Sequence, residues 1–404
     1  MAKKASKSKT SAFAPNMMDH HRLNFSVAEY QRRYDVVTKA MEKAGVDVLM
    51  VRGPENICYL TGYETPGYYG YHNLIVPRGG QPILVMRNFE SLNVPEYTWL
   101  PFPEGVEIVW DWEVPVEVTG RVIKRLKLDN KRIGVEKTGW FHSVAEYEGL
   151  MAQFPKAKIV DCSKIVEEAR VVKSDEEVAT MRKAARILDR AVQAGIDAIA
   201  GGVTDNYVAA EVNHVLIDNG SQYYGLPPFV LTGERTCLPH QSWRNTVIEE
   251  GDPVYFEVSA NVNRYAAAIM RCANVGEPTK LVRDMSNAVI GAVQAACDKI
   301  KPGVTCEQVD TAARNVVKKA GFGDYWRHRL GYSIGVNFPP DWGEGQILSL
   351  RQGEKRKLEE NMTFHMVPLV LKYREAGIGF SATVRVTKNG CEVLNGLPLE
   401  LVVV

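Results

Sequence analysis

Two helix pairs, each followed by strands, restrict the fold of this chain more than any other feature of its sequence. Ser174 and Glu177 have the spacing of a capping box, which predicts a helix that continues from there to about Ala200. A second helix is predicted at 204–219, ending at Gly220. Strand-like segments follow near 227–233, 253–259 and 263–273.

The same order of elements recurs further along the chain. A long helix is predicted at 278–300, where a Lys-Pro-Gly tract ends it, and Thr305 with Gln308 caps another helix that continues to Ala320. The remaining sequence has strand-like segments between Gly and Pro turns, namely MTFHMVPLV, GFSATVRVT and CEVLN. This repetition predicts an internal duplication around a curved antiparallel sheet, in an α+β fold.

Helices and strands alternate over 25–163, which predicts a smaller N-terminal α/β domain. Ser26 and Glu29 have capping-box spacing at the start of a helix that ends at Gly45. The other predicted elements are strands at 46–51, 74–77, 82–86 and 133–136 and a helix at 143–153. The strands at 74–77 and 82–86 are predicted to form a hairpin.

Composition excludes several classes of function. The chain has 404 residues, enough for two domains, and we expect a disordered or extended tail at 1–24, the α/β domain at 25–163 and a second domain at 164–404. A net charge of +1 gives no strong attraction to nucleic acid or to an anionic membrane. Apolar runs are too short for a membrane span, and the basic N-terminus has no apolar core of a secretory signal.

Cysteine usage predicts a cytoplasmic location. The seven cysteines are scattered and contain no CxxC pair, a pattern that favours a reducing compartment over a disulfide framework or a zinc knuckle.

Two titratable residues stand out as candidates for chemistry. His240 follows Pro239 in a loop between strands, and an imidazole can take and return a proton near neutral pH; the alternative is a loop histidine bonded to backbone carbonyls. Glu257 lies in the apolar tract VYFEVSA, where a carboxyl group is costly unless paired. It could hold a substrate cation or attack a substrate carbon, or it could form a structural ion pair with Arg271.

Further residues are weaker candidates for substrate binding. His328 opens the tract HRLGYSIG and His365 lies on a predicted strand; for both, the role of a satisfied core or rim histidine is favoured over direct chemistry. Trp342 in PPDWGE could cover a cation or a flat ring, or anchor a loop.

The N-terminal domain contributes its own candidates. Tyr69 and His72 belong to a Tyr- and Gly-rich tract that could close over a ligand or contact another subunit, and Arg87 could bind a substrate carboxylate or be a solvated charge.

Four tracts, in order, resemble the creatinase/prolidase/methionine-aminopeptidase family of pita-bread hydrolases. They are RVVKSDEE at 170–177, GERTCLPH at 233–240, GDPVYFEVSANVNRYAAAIMRC at 251–272 and HRLGYSIG at 328–335. The resemblance implies a small N-terminal domain, a pita-bread catalytic domain and a homodimer in which one subunit helps to close the pocket of the other.

Metal-dependent members of that family hold two metal ions with two Asp, one His and two Glu. The resemblance places those five ligands at Glu257, Ala268, Tyr332, Val367 and Ser381. One carboxylate remains, too few donors for a divalent ion, so we expect no metal and no other cofactor. Tyr332, in place of the metal-binding histidine, could donate to a developing oxyanion or could fill space.

The resemblance extends to the metal-independent branch of the family. Creatinase cleaves a C–N bond of a small zwitterion with a histidine, and GYSIGVNFPPDWGEG is similar to ectoine hydrolases, which open a cyclic amidine. We therefore predict a cytoplasmic, homodimeric, metal-independent hydrolase that cleaves a C–N bond in a small zwitterionic amide, amidine or guanidino compound. Its catalytic residues would be His240, Glu257 and Tyr332. Two alternatives stay open: an Xaa-Pro dipeptidase-like metallohydrolase with a non-standard site, and an inactive binding protein on the same scaffold.

Overall fold

A computed structural model describes residues 22–404, so most of the predicted tail at 1–24 lies outside the described residues. The chain divides into two compact units, the first ending at Arg170 and the second beginning at Val171. Among the described residues, no helix is both long enough and apolar enough to cross a bilayer.

The N-terminal unit is built on one mixed sheet, as the alternation of helices and strands predicts. Its helices are α1 (Val27–Ala44), α2 (Pro54–Thr61), α3 (Val94–Tyr97), α4 (Pro115–Arg125), α5 (Val144–Ala152) and α6 (Ile165–Val171), the last of which reaches the boundary between the units. Its strands are β1 (Val48–Val51), β2 (His72–Pro77), β3 (Ile83–Arg87), β4 (Val106–Val109), β5 (Arg132–Val135) and β6 (Lys158–Asp161), ordered β4-β3-β2-β1-β5-β6.

Capping residues determine where α1 begins and ends. The Ser26 hydroxyl accepts a hydrogen bond from the Glu29 backbone N–H, and Gly45 ends the helix with φ of 65°. The predicted hairpin is also confirmed, because β2 and β3 pair antiparallel with Leu74 opposite Leu84. Apolar side chains of the sheet, α4 and α5 form one core cluster of this unit, and side chains of α1 such as Val37 and Met41 are also fully buried.

The C-terminal unit confirms both predicted helix pairs. Its helices are α7 (Asp175–Asp197), α8 (Asp205–Asp218), α9 (Lys280–Lys299) and α10 (Cys306–Lys319). Its strands are β7 (Phe229–Thr232), β8 (Pro253–Val262), β9 (Tyr265–Asn274), β10 (Gly331–Ser333), β11 (Ser349–Leu350), β12 (Thr363–Met366), β13 (Leu369–Lys372), β14 (Ala376–Gly379), β15 (Ala382–Val386), β16 (Cys391–Val393) and β17 (Val402–Val403). Reciprocal capping boxes open α7 and α10, as their sequences predict.

Side chains alternate along β8 and thereby separate the core from the functional face. Val254, Phe256 and Val258 pack with α7 and α8 in the core of the unit. Tyr255 and Glu257 consequently point to the opposite face of the sheet. The long β8–β9 hairpin fixes this register, with Glu257 opposite Met270 on β9.

The sequence predicts one curved antiparallel sheet in this unit, but its strands form three sheets. Their strand orders are β17-β9-β8-β7, β11-β10-β12-β15-β16 and β13-β14. Between β9 and the start of β15, side chains supplement a backbone hydrogen bond from the Ser381 N–H to the Met270 carbonyl. The Thr383 hydroxyl bonds the backbone of Ala268, and the Ser381 hydroxyl accepts from the Met270 N–H at 2.5 Å. One pair, β17 with β9, is also parallel.

Candidate active site

A cavity of about 770 Å³ opens on the face of the sheet that carries Glu257. From β7, β8 and β9 it is lined by Phe229, Leu231, Tyr255, Glu257 and Met270. The volume lies within the range of small-molecule sites, and its walls combine apolar side chains with a few polar groups. We therefore take this cavity as the candidate active site.

Glu257 is an almost fully buried acid, with 8% of its surface exposed. Burial raises the pKa of its carboxyl to about 7; a hydrogen bond of 2.8 Å from the Tyr255 hydroxyl to Oε2 opposes this rise, and the charge of Asp341 adds to it. Glu257 Oε1 has no hydrogen-bond partner among residues 22–404. The carboxyl group therefore changes charge near neutral pH while one oxygen is available to a ligand.

Glu257 and Arg271 do not form the ion pair that the sequence offered as an alternative role for Glu257. Arg271 donates to the backbone carbonyls of Met270, Ser381 and Leu397 instead. The reason is the alternation on β9, which places Met270, not Arg271, opposite Glu257.

Tyr332 also lines the cavity, and a buried polar chain lies behind it. Trp342 Nε1 donates to the Tyr332 hydroxyl at 2.8 Å, and His365 Nδ1 is 3.0 Å from the same oxygen. His365 Nε2 is 2.7 Å from the Ser381 hydroxyl. Trp342 and His365 are buried and do not line the cavity, so the structure places these two predicted substrate-binding residues in contact with Tyr332.

Two histidines also lie on the cavity wall. His240 is exposed, packs against the Phe229 ring and has a backbone φ of 54°, a conformation uncommon for residues other than glycine. His328 places Nδ1 2.6 Å from the Arg329 carbonyl, and burial lowers its pKa to about 4. His328 is consequently neutral at physiological pH.

Four arginines contribute to the same wall: Arg314, Arg327, Arg329 and Arg351. Arg314 forms an ion pair with the buried Asp310 at 2.7 Å. The other three form no ion pair with any residue of 22–404. Their positive charge favours an anionic group on the ligand.

The remaining predicted residues belong to the N-terminal unit. Tyr69 is exposed, whereas His72 is buried, with Nδ1 3.1 Å from the Gly70 carbonyl and a pKa that burial lowers to about 4. Arg87 forms a bidentate ion pair with the Asp111 carboxylate. Arg87 therefore uses the same N–H donors for Asp111 that it would need to bind a substrate carboxylate.

The side chains in the cavity do not fit a dinuclear metal centre. At the five positions implied by the resemblance, Glu257 is the only carboxylate, and Ala268 and Val367 offer no donor atom. Tyr332 and Ser381 use their hydroxyls in the hydrogen bonds just described. Within 22–404 no group of three or more His, Cys, Asp or Glu side chains could hold a metal ion.

Comparison with known proteins identifies the family. Residues 179–388 match the model of metallopeptidase family M24, and residues 33–172 match the Creatinase/Prolidase N-terminal domain. The chain therefore belongs to the creatinase/prolidase family of pita-bread hydrolases, metallopeptidase family M24. The X-Pro aminopeptidase from Thermotoga maritima has the same fold, with a TM-score of 0.81 at 23% identity over 92% of this chain and 99% of that one.

Similar curated proteins carry different activities. An uncharacterized hydrolase/peptidase of Sinorhizobium fredii is 31% identical over 94% of this chain and 99% of its own length. The ectoine hydrolase of Halomonas elongata is 27% identical over 94% of this chain and 98% of its length. The Xaa-Pro dipeptidase of Pyrococcus furiosus is also 27% identical, over 92% and 99%. Identity alone therefore does not distinguish the two named activities.

Several residues of the cavity were absent from the sequence prediction. Tyr255 lies two residues before Glu257, and a strict period of two along β8 would have placed both on one face. Arg327 and Arg329 flank the histidine of the HRLGYSIG tract, whereas Arg351 comes from a separate loop that no sequence spacing indicates.

Proposed function

We propose that this chain hydrolyses a C–N bond in a small zwitterionic amide, amidine or guanidino compound without a metal ion. The observation that carries the proposal is Glu257: a buried acid with a pKa of about 7 faces a cavity whose other side chains do not fit a metal. A group that titrates near the working pH is suited to proton transfer or to attack on carbon.

Each of the three proposed catalytic residues has a distinct part. Glu257 either holds the substrate nitrogen while water attacks the carbon of the scissile bond, or attacks that carbon through its free oxygen to form an intermediate that water then hydrolyses. His240, which also lines the cavity, gives a proton to the leaving nitrogen and takes one from the attacking water. Tyr332 steadies the substrate oxygen as charge develops on it.

The arginines that form no ion pair support a substrate that carries a carboxylate. Arg327, Arg329 and Arg351 supply positive charge at the wall, whereas Arg87 is already engaged with Asp111. A guanidinium can bind a carboxylate through two parallel hydrogen bonds. A small compound with one carboxylate and one hydrolysable C–N bond fits both features.

The family resemblance supports a homodimer in the cytoplasm. In that arrangement the exposed Tyr69 would belong to a loop that closes the partner's pocket. The cysteines of residues 22–404 are free thiols, which is compatible with a reducing compartment.

The Xaa-Pro dipeptidase relatives favour a second candidate, hydrolysis of a dipeptide. A peptide bond is also a C–N bond, so the two candidates differ in substrate and in metal requirement. The donor set around Glu257 favours the metal-independent candidate.

Two variants test the proposal directly. Glu257→Gln and His240→Ala are assayed for turnover of ectoine-like and creatine-like compounds, with His214→Ala, an exposed histidine on α8, as the matched control. We expect each catalytic variant to lose about 10²–10⁴-fold in kcat and the control to keep wild-type turnover. Unchanged turnover in both variants would eliminate this mechanism. Binding without turnover by the wild-type chain would replace it with the binding function.

A further inference from the structure

The hydrogen bonds around His365 limit which of its ring nitrogens can carry the proton. His365 Nε2 is 2.7 Å from the Ser381 hydroxyl, and Nδ1 is 3.0 Å from the Tyr332 hydroxyl. Each hydroxyl also accepts a hydrogen bond from a fixed donor, the Met270 backbone N–H for Ser381 and Trp342 Nε1 for Tyr332. A neutral imidazole has one donor and one acceptor nitrogen, so only two arrangements are possible.

The two arrangements differ in which hydroxyl hydrogen is left without a partner. If Ser381 donates to Nε2, then Nδ1–H donates to Tyr332, and the Tyr332 hydrogen is left over. If Tyr332 donates to Nδ1, then Nε2–H donates to Ser381, and the Ser381 hydrogen is left over.

The surroundings of the two hydroxyls decide between these arrangements. Ser381 is fully buried, does not line the cavity and has no other acceptor for its hydrogen among residues 22–404. Tyr332 lines the cavity, where water or a ligand can accept. Burying a hydroxyl hydrogen without an acceptor is unfavourable, so the first arrangement is the stable one. Burial also lowers the pKa of His365 to about 3, which keeps the ring neutral.

We propose that Ser381, His365 and Trp342 are positioning residues that direct the hydroxyl hydrogen of Tyr332 into the cavity. The Tyr332 oxygen accepts two hydrogen bonds in this arrangement, from His365 Nδ1–H and from Trp342 Nε1–H, so Tyr332 acts toward a ligand as a donor only. The ligand atom that contacts it is therefore an acceptor, a carbonyl or carboxylate oxygen, and not a protonated amidine or guanidinium nitrogen. This use of Tyr332 rests on the proposed function; the proton position itself does not.

Nitrogen NMR tests the proton position without any substrate. In protein labelled with ¹⁵N-histidine, we expect His365 to be neutral and protonated on Nδ1. Its signal is assigned by its loss in His365→Gln and, independently, by a change of the Nε2 shift in Ser381→Ala. A signal protonated on Nε2 would overturn the inference, whether or not the chain proves to be a hydrolase.

A pair of matched variants tests the positioning role. Ser381→Ala and Thr383→Ala each remove a hydroxyl that bonds the backbone of β9. Thr383 lies opposite His365 on the paired strand, but only the Ser381 hydroxyl hydrogen-bonds the His365 ring. We expect both variants to lower Tm, and only Ser381→Ala to lower kcat, by about tenfold with KM little changed, as loss of a transition-state interaction requires. Equal kcat values for the two folded variants would overturn the positioning role of Ser381 and would leave the proposed function intact.

Discussion

Tyr255 and Glu257 lie two residues apart on β8, and the tyrosine hydroxyl donates to Glu257 Oε2 at 2.8 Å. Both side chains point to the cavity because residues two apart on a strand share a face. The hydrogen bond favours the charged carboxylate, whereas burial favours the neutral acid, and burial is the larger effect. The balance places the pKa of Glu257 at about 7, which gives the cavity its titrating group.

The raised pKa of Glu257 predicts a loss of stability as the pH rises. An ordinary glutamate has a pKa near 4.5, so between that pH and about 7 the folded chain keeps a proton that the unfolded chain releases. The stabilising contribution is fully present below pH 4.5 and is lost as the pH rises through 7. At 1.36 kcal/mol per pKa unit, the loss is on the order of 3 kcal/mol.

Thermal unfolding of wild type and Glu257→Gln over this pH range measures the effect. Glutamine does not titrate, so the Tm of the wild type should fall relative to that of the variant as the pH is raised. The infrared band of the protonated carboxyl, missing in Glu257→Gln, gives the pKa in the same samples. Parallel Tm profiles and a band that disappears near pH 4.5 would contradict the assignment.

Removing the Tyr255 hydroxyl should raise the pKa of Glu257 further. A hydrogen bond to a charged group contributes about 1.5–3 kcal/mol, which corresponds to a shift of roughly one to two pKa units in Tyr255→Phe. The pH–rate profile of the variant should move to higher pH by that amount. Tyr325→Phe, a tyrosine that does not line the cavity, serves as the control, and a shift of the same size in both variants would argue against a local effect.

A buried ion pair supports the segment that carries Tyr332. Lys173 and Glu344 form a bond of 2.9 Å with both side chains 1% exposed, and Glu344 also accepts from the Ser333 hydroxyl. Lys173→Met removes the ammonium partner of a buried carboxylate, so we expect a loss of about 3–5 kcal/mol in the free energy of unfolding.

The double variant separates charge from packing at this pair. Lys173→Met with Glu344→Gln has no unpaired charge, so much of the stability should return in denaturant unfolding. A double variant no more stable than Lys173→Met would show that the pair contributes through packing instead of charge.

Most of the helices could be predicted because their ends carry local signals. Capping residues such as Ser174 and Thr305 act on the backbone within one turn, so sequence alone locates those helix starts. Helix α2 was not predicted although Pro54 opens it and Gly62 ends it, because no side-chain cap precedes it and most of its residues are buried, which leaves no amphipathic pattern.

The division of the sheet and the roles of Trp342 and His365 depend on distant contacts. Ser381 reaches Met270 across more than a hundred residues of sequence, and His365 contacts Tyr332 only because β10 and β12 pair. The tract around Glu257 indicated a buried acid, but not that Tyr255 would be its partner in place of Arg271. Pairings of this kind follow from tertiary register, which short motifs do not encode.

If hydrolysis in this cavity needs no metal ion, turnover should survive the removal of metal, and metal content measured together with turnover decides the question. The purified chain is dialysed against a strong chelator, its manganese, iron, cobalt and zinc are quantified, and turnover of the ectoine-like and creatine-like compounds is compared before and after. We predict metal well below one ion per chain and unchanged turnover. Stoichiometric metal whose removal abolishes turnover, and whose return restores it, would contradict the account.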